Sequence, residues 1–159
     1  LKQLKVFSDG SVNPQSKIGY GAYLVVSAVE LPSANLQKQI RLKRFTDTSS
    51  TQLELQTLLW ALDEISSNSA QITIYTDSQN IVELPNRRER FERNGYRTNK
   101  NTLVKNYKLY QEFFQITDKL NCELVKIKGH QPTKNKDKLD KIFTLVDRAA
   151  RKALKNNKD

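Results

Sequence analysis

Apolar and polar residues change rhythm several times along the chain, and each change marks an element. Leu4–Gly10 (LKVFSDG) is a short strand-like run. Gly19-Tyr20-Gly21 leads into a second strand over Ala22–Ala28, and a polar turn over residues 29–36 contains Pro32. A third strand follows over Gln39–Phe45, where Ile40 and Leu42 alternate with Arg41 and Lys43 as in a half-exposed strand. Three strands joined by short turns make an antiparallel meander. The Ser/Thr-rich stretch Thr46–Gln52 then opens a helix. Leu55, Leu58, Leu59, Leu62 and Ile65 recur at helical spacing and carry it to about Ser67.

Ile72–Gln79 (ITIYTDSQ) begins with β-branched and aromatic residues and reads as a buried strand. Ser78 is placed to cap a short helix towards Leu84, which Pro85 is expected to break. Val104–Leu120 predicts a further helix with Tyr107, Tyr110, Phe114 and Thr117 on one side, and Cys122–Ile127 (CELVKI) a fifth strand. The last helix gathers Leu139, Ile142, Phe143, Val146, Ala150 and Ala153 on one face.

Acidic residues stand at informative places in this pattern. Asp9 and Asp77 each close a strand, and in open α/β sheets ligands sit outside the carboxyl ends of strands. A buried carboxylate needs a positive partner, so two such residues in one small domain point to a shared cation. Each taken alone is equally well a turn cap. Glu54 flanks the apolar stripe of its helix, about 40° from Leu58 at 3.6 residues per turn. Read singly, it is a first-turn acid favoured by the helix dipole. Asp147 and Asp140 flank the face of the last helix, about 10 Å apart along its axis, too far to serve one metal pair together. His130, the only histidine, follows the fifth strand beside a basic loop, and any imidazole chemistry must use it.

Composition narrows the setting. A chain of 159 residues is enough for one domain, spanning residues 1–159, with a real core. Its single cysteine, Cys122, excludes an internal disulfide and suits a reducing compartment, so a cytoplasmic location is expected. No apolar run is long enough to span a bilayer and no signal peptide is visible. The absence of methionine reads as a trimmed start or a domain cut from a longer chain. The net charge of +10 attracts polyanions, chiefly nucleic acid, although a lysine-rich surface also serves solubility. Much of that charge lies in Asn86–Lys108, where Arg87, Arg88, Arg90, Arg93, Arg97, Lys100, Lys105 and Lys108 interleave with Phe91, Tyr96 and Tyr107, just ahead of Tyr110. Cations reach phosphates and aromatic faces stack on sugars or bases. A solvated helix with inward aromatics gives the same pattern, and Phe91 and Tyr96 are expected to pack while the arginines face out.

The order of strand-DGS, three strands, a helix opened by Gln-x-Glu-Leu, strand-TDSQ, a basic segment, KGH and VDRAARKAL resembles the type I ribonuclease H family, that of bacterial ribonucleases HI and retroviral domains. The resemblance runs over essentially the whole chain. It implies an α/β fold with a five-stranded mixed sheet ordered 3-2-1-4-5, flanked by helices, in which the first and fourth strands lie parallel and adjacent. It also implies an endonuclease that cleaves the RNA strand of RNA–DNA hybrids with two Mg²⁺ ions (or Mn²⁺), leaving 3′-hydroxyl and 5′-phosphate ends. The resemblance assigns Asp9, Glu54, Asp77 and Asp147 to the metals, with Asp140 the alternative for the fourth, and His130 to proton movement or product release.

For the substrate, the resemblance assigns Gly10, Ser11 and Asn13 to the 2′-hydroxyl, with Ser50 and Thr51 standing where amides are usual. Asn13, Ser49 and Gln52 fall near a pocket for a DNA phosphate. Asn86–Lys108 matches the basic protrusion that grips the DNA strand, including Arg87, Arg88, Arg93, Arg97 and Lys105, with Arg87, Phe91, Tyr96 and Tyr110 in the places of family tryptophans. The chain is expected to act as a monomer on RNA–DNA hybrid and not at a membrane. A non-catalytic nucleic-acid-binding module of the same fold and the ribonuclease domain of a reverse transcriptase are the alternatives.

Overall fold

The computed structural model describes residues 2–27, 35–65, 70–128 and 137–157. Strands β1 (Lys2–Asn13), β2 (Ile18–Ser27) and β3 (Arg41–Phe45) form an antiparallel meander, with a 3₁₀ turn over Leu36–Gln39 before β3. Helix α1 (Ser50–Ile65) leads to β4 (Ala70–Thr76), which joins β1 in parallel. Helices α2 (Gln79–Arg93) and α3 (Tyr107–Lys119) precede β5 (Asn121–Lys126), parallel to β4, and α4 (Lys138–Lys155) follows. The sheet order is β3-β2-β1-β4-β5, as the resemblance implies.

Strand pleating divides the core into two. Leu4, Val6, Ile72 and Ile74 face α1 and α3, packing with Leu55, Leu58, Leu62 and Phe113. Phe7, Ala22, Leu24, Val26 and Tyr75 face α4, packing with Ile142, Phe143, Val146 and Ala150. The predicted faces of α1 and α4 are therefore the ones that meet the sheet, with Leu53 added to the buried set of α1.

Three expectations need correction. Helix α2 continues through Pro85 to Arg93. A proline inside a helix removes one backbone hydrogen bond, but Ile81 and Leu84 before it and Phe91 beyond it are all buried, and this packing holds the helix across the break. Leu42 does not face inward: β3 is exposed over Arg41–Arg44, with Leu42 47% exposed. It lies at the sheet edge, where the described residues leave it little to pack against. Helix α3 begins at Tyr107, three residues late, because Val104 N–H bonds to Tyr96 O at 2.8 Å and holds that segment in a loop.

Candidate active site

Close approach of α1 to the sheet builds the site. Gly10 and Gly21 face each other across the β1–β2 ladder. A Cβ on Gly10 would stand 2.9 Å from Leu53 Cδ2, one on Gly19 would stand 2.7 Å from it, and one on Gly21 would run into Thr57 Oγ1. These bare positions let α1 lie against β1 and β2, with Glu54 beside the end of the sheet. Thr48, buried at the start of α1, donates to Gln56 Oε1 at 2.8 Å, and its N–H bonds to Lys17 O at 3.0 Å, which fixes where the helix begins.

The parallel register pairs Phe7 with Tyr75. Continued by two residues, it sets Asp9 beside Asp77. Asp77 directly follows β4, but Asp9 does not close its strand as expected: pairing with β2 carries β1 four residues further, to Asn13. Asp9 is 8% exposed on the α4 side of the sheet, where its carboxyl meets that of Asp147. Burial, the Asp147 contact and the nearby charge of Asp77 push the Asp9 carboxyl up to about 9, opposed by a hydrogen bond from Gly10 N–H. Glu54 is raised as well, by burial first and the Asp77 charge besides, while hydrogen bonds from Ser78 and Ser50 pull the other way. Asp77 thus faces both Asp9 and Glu54.

Pairwise interactions link Asp147 to Asp9, Asp9 to Asp77 and Asp77 to Glu54, although their sequence positions span most of the chain. Asp140 is elsewhere: it forms a capping box with Asp137, accepting from Asp137 N–H at 3.2 Å while Asp140 N–H donates to Asp137 Oδ1 at 2.8 Å. On the outer side of Asp147, Arg151 Nε donates to its Oδ1 at 3.1 Å from one turn along α4. His130 lies outside the described residues.

Carboxylate oxygens are the ligands of hard divalent cations. Like charges brought together in a buried place are relieved by one, so these carboxylates suit a hard divalent cation. Among the described residues no group of three or more acidic, histidine or cysteine side chains stands close enough to hold one metal ion together. The carboxylates are linked in pairs instead: Asp147 to Asp9, Asp9 to Asp77, and Asp77 to Glu54.

The expected substrate residues divide into groups. Gly10 and Ser11 continue β1 past Asp9. Asn13 Oδ1 is taken up locally, accepting from Gln15 N–H at 2.9 Å in a turn. Ser49, Ser50 and Thr51 line a cleft of about 470 Å³ with Val104, Lys105, Asn106 and Tyr110. Gln52, half-buried on α1, bonds through its N–H to Ser49 Oγ at 3.4 Å. Arg88 is engaged within the fold, bidentate to Asp118 at 2.6 and 2.8 Å and bonded to Glu92 at 2.7 Å. Arg87 lies over the rings of Phe91 and Tyr110, 4.7 and 5.9 Å from their centres, and bonds to Asn80 Oδ1 at 2.8 Å. Phe91 stacks on both Tyr96 and Tyr110. Arg93 pairs with Glu89 at 3.6 Å, and Arg97 bonds to Asn101 O at 3.0 Å.

Sequence reasoning did not single out Ser78 as the partner of Glu54, Asn106 as a cleft residue or Arg151 as the partner of Asp147. The last was within reach, since Asp and Arg four apart on a helix are neighbours. The RNase H family profile matches residues 1–155. The chain belongs to the RNase H family.

Curated relatives agree in length as well as sequence. Ribonuclease H of Acetivibrio thermocellus is 28% identical over 148 residues, covering 91% of this chain and 94% of that protein. Ribonuclease H of Caldicellulosiruptor saccharolyticus is 27% identical over 160 residues, covering 98% of each. Among solved structures, LC9-RNase H1, a type 1 RNase H with the type 2 active-site motif, superposes with a TM-score of 0.71 at 19% identity, covering 96% of this chain and 72% of that one. The foamy viral protease-reverse transcriptase in complex with RNA/DNA hybrid gives a TM-score of 0.66 at 12% identity, covering 95% of this chain and 19% of that one. At these identities the two structures speak for the fold. RNase H enzymes generally use divalent metal ions, and among the described residues of this one no helix is long and apolar enough to cross a membrane.

Proposed function

We propose that this RNase H hydrolyses the RNA strand of RNA–DNA hybrids as an endonuclease with two Mg²⁺ ions, leaving 3′-hydroxyl and 5′-phosphate ends. The convergence of Asp9, Glu54, Asp77 and Asp147 carries this reading. A protein that only gripped nucleic acid would gain nothing from turning carboxylates towards phosphates. When bound, the metal pair supplies an activated water and charge stabilisation at the leaving oxygen.

The chain's own residues set the geometry. Asp9 is fixed within β1 and Asp77 just past the end of the adjacent β4, Glu54 is oriented by the Ser78 and Ser50 hydroxyls, and Asp147 is presented from α4. Gly10 and Ser11, together with Ser50 and Thr51, address the ribose 2′-hydroxyl in this reading, the group that separates RNA from DNA. The cleft between Ser49 and Lys105–Asn106 takes a phosphate of the DNA strand. His130 serves proton movement or product release. The exposed cations beyond the stacked aromatics, Arg93, Arg97 and Lys105 among them, supply long-range attraction to the DNA backbone.

The test is incubation with labelled RNA–DNA hybrid, with duplex DNA and duplex RNA as controls, with and without EDTA. Hybrid alone is cut, and EDTA abolishes cutting. Asp77→Asn lowers turnover by about a thousandfold or more, the scale of losing an essential site carboxylate, while hybrid affinity stays within about threefold. Turnover by Asp77→Asn close to that of the unaltered chain would place the reaction on other groups.

A further inference from the structure

The exposed face of α4 is uniformly cationic. Every exposed residue of Lys138–Lys155 is a lysine or arginine: Lys138, Lys141, Arg148, Arg151, Lys152 and Lys155. At 100° per residue they fall within an arc of about 140°, and at 1.5 Å per residue the helix is about 27 Å long. The opposite face is the apolar one against the sheet.

Helix stability accounts for only part of this stripe: Lys152 and Lys155 stand in the last turn, where the helix dipole favours cations. Lys138–Lys141, Arg148–Arg151, Arg148–Lys152, Arg151–Lys155 and Lys152–Lys155 are like-charge neighbours three or four residues apart, a spacing that destabilises a helix. Lys138 and Lys141 also stand at the amino-terminal end, where the helix dipole disfavours cations. Among the described residues, Lys138, Lys141, Arg148, Lys152 and Lys155 form no ion pair. Helix α2 differs: Arg88 and Arg93 are paired with acids, and Arg87 is stacked and hydrogen-bonded. Among the described residues, Arg90 on α2 and Lys108 and Lys119 on α3 are also without an ion pair, but they are scattered, whereas α4 carries five such cations along one face.

The stripe is continuous with the site. Arg151 belongs to it and bonds to Asp147. Its carboxyl-terminal end is tied to the sheet by Tyr20, whose hydroxyl donates to Asn157 Oδ1 at 3.1 Å. Tyr20 stands opposite Ser11 on β1 and opposite Arg44 on β3, which adds an aromatic ring and a further cation beside the path.

We infer that this face of α4 is a second nucleic-acid contact, which holds the sugar–phosphate backbone of single-stranded RNA continuing from the RNA strand of the hybrid. Repeated phosphates neutralise a row of like charges in which Lys138, Lys141, Arg148, Lys152 and Lys155 have no ion pair within the described residues. Assignment to the RNA strand rests on the proposed function, since the stripe meets the site at Asp147. The face lies on the side of the sheet opposite α1 and α3, away from the basic segment assigned to the DNA strand.

The test compares a blunt hybrid with the same hybrid bearing a single-stranded RNA tail of about 12 nucleotides, or a DNA tail of that length on the other strand. Affinity is read by fluorescence anisotropy in EDTA, and cleavage in Mg²⁺. The variant combines Lys141→Gln, Arg148→Gln, Lys152→Gln and Lys155→Gln, and circular dichroism checks its folding. Its Tm is expected to stay close to that of the unaltered chain, since relief of like-charge repulsion offsets the loss of last-turn cations. The RNA tail should tighten binding about fivefold or more at low salt and steepen the log–log salt slope by about 2 to 3, as four single-strand phosphate contacts do. The variant should lose both effects and cut the blunt hybrid at an unchanged rate, and Arg148→Gln with Lys152→Gln should lose about half the gain.

An RNA tail without benefit to the unaltered chain would overturn the inference. So would a variant that keeps the benefit, a DNA tail that serves equally well, or cation-dependent binding to anionic vesicles with no response to RNA tails. Failure of the unaltered chain to cut blunt hybrid would count against the proposed function instead, because tail binding is measured without catalysis.

Discussion

Asp147 stands between two unlike neighbours: the carboxyl of Asp9 on its inner side and Arg151 Nε, 3.1 Å from its Oδ1, on its outer side. Arg151 competes with any cation that Asp147 helps to hold. A unit charge about 6 Å from a divalent ion opposes it by about 1.4 kcal/mol in a water-like dielectric, before screening by salt. Arg151→Gln should therefore tighten Mg²⁺ binding by about 3- to 10-fold, measured by calorimetric titration. Unchanged or weaker binding would show that Arg151 aids the site by orientation and not by charge.

Without metal, Asp9 is a buried acid facing two others. Mg²⁺ should raise the Tm of the unaltered protein. Asp9→Asn removes the repulsion and should raise the metal-free Tm by about 4 °C, the effect of roughly 1 kcal/mol in a domain this size. It should also blunt the response to Mg²⁺ and abolish hydrolysis. Differential scanning fluorimetry across a Mg²⁺ series reads both changes, and a fall in metal-free Tm would mean that the Asp9 carboxyl supports the fold.

Gly21 leaves no room for a side chain beneath Thr57. Gly21→Ala should destabilise the protein by about 1–3 kcal/mol through overpacking. Adding Thr57→Ala removes the colliding hydroxyl and methyl and should restore at least half of that loss. Urea unfolding of the two single variants and the pair separates the contributions, and independent, additive losses would mean that the two positions do not press on each other.

Arg88 holds the Asp118 carboxyl below the usual carboxylate range through hydrogen bonds. A depressed acid adds stability above its unfolded value of 3.8, and that increment is lost as pH falls through its lower folded value. Melting curves between about pH 2 and 5 should thus fall less steeply for Asp118→Asn than for the unaltered protein, and high salt should shrink the difference because the pair is exposed. Parallel curves would leave the pair without a stabilising role.

Several of these relationships were legible in the sequence. The helical recurrence of Leu55, Leu58, Leu59 and Leu62 placed the inner face of α1, and the short apolar run ending in Asp77 placed that residue at the end of β4. The same rhythm put Asp9 at a strand end, but hydrogen bonding to β2 extends β1 through the polar residues to Asn13. Periodicity does not order strands within a sheet, so the adjacency of β1 and β4 had to come from resemblance. Pro85 misled because the cost of a lost backbone bond is local, whereas the burial of Ile81, Leu84 and Phe91 that outweighs it is set by tertiary packing. Arg87 and Arg88 read as outward cations until α3 supplied Tyr110, Phe114 and Asp118 as their partners. Leu42 matched an inward rhythm, but alternation cannot tell a central strand from one at an edge.

The bare positions at Gly10, Gly19 and Gly21 make the seating of α1 a condition of enzymatic competence as well as of packing. Glu54 rides on that helix, whereas Asp9 and Asp77 ride on the sheet. A slight lift of α1 would part Glu54 from them while leaving every strand paired. On warming, catalysis should consequently fade at a lower temperature than the sheet melts, and cooling from that interval should bring it back.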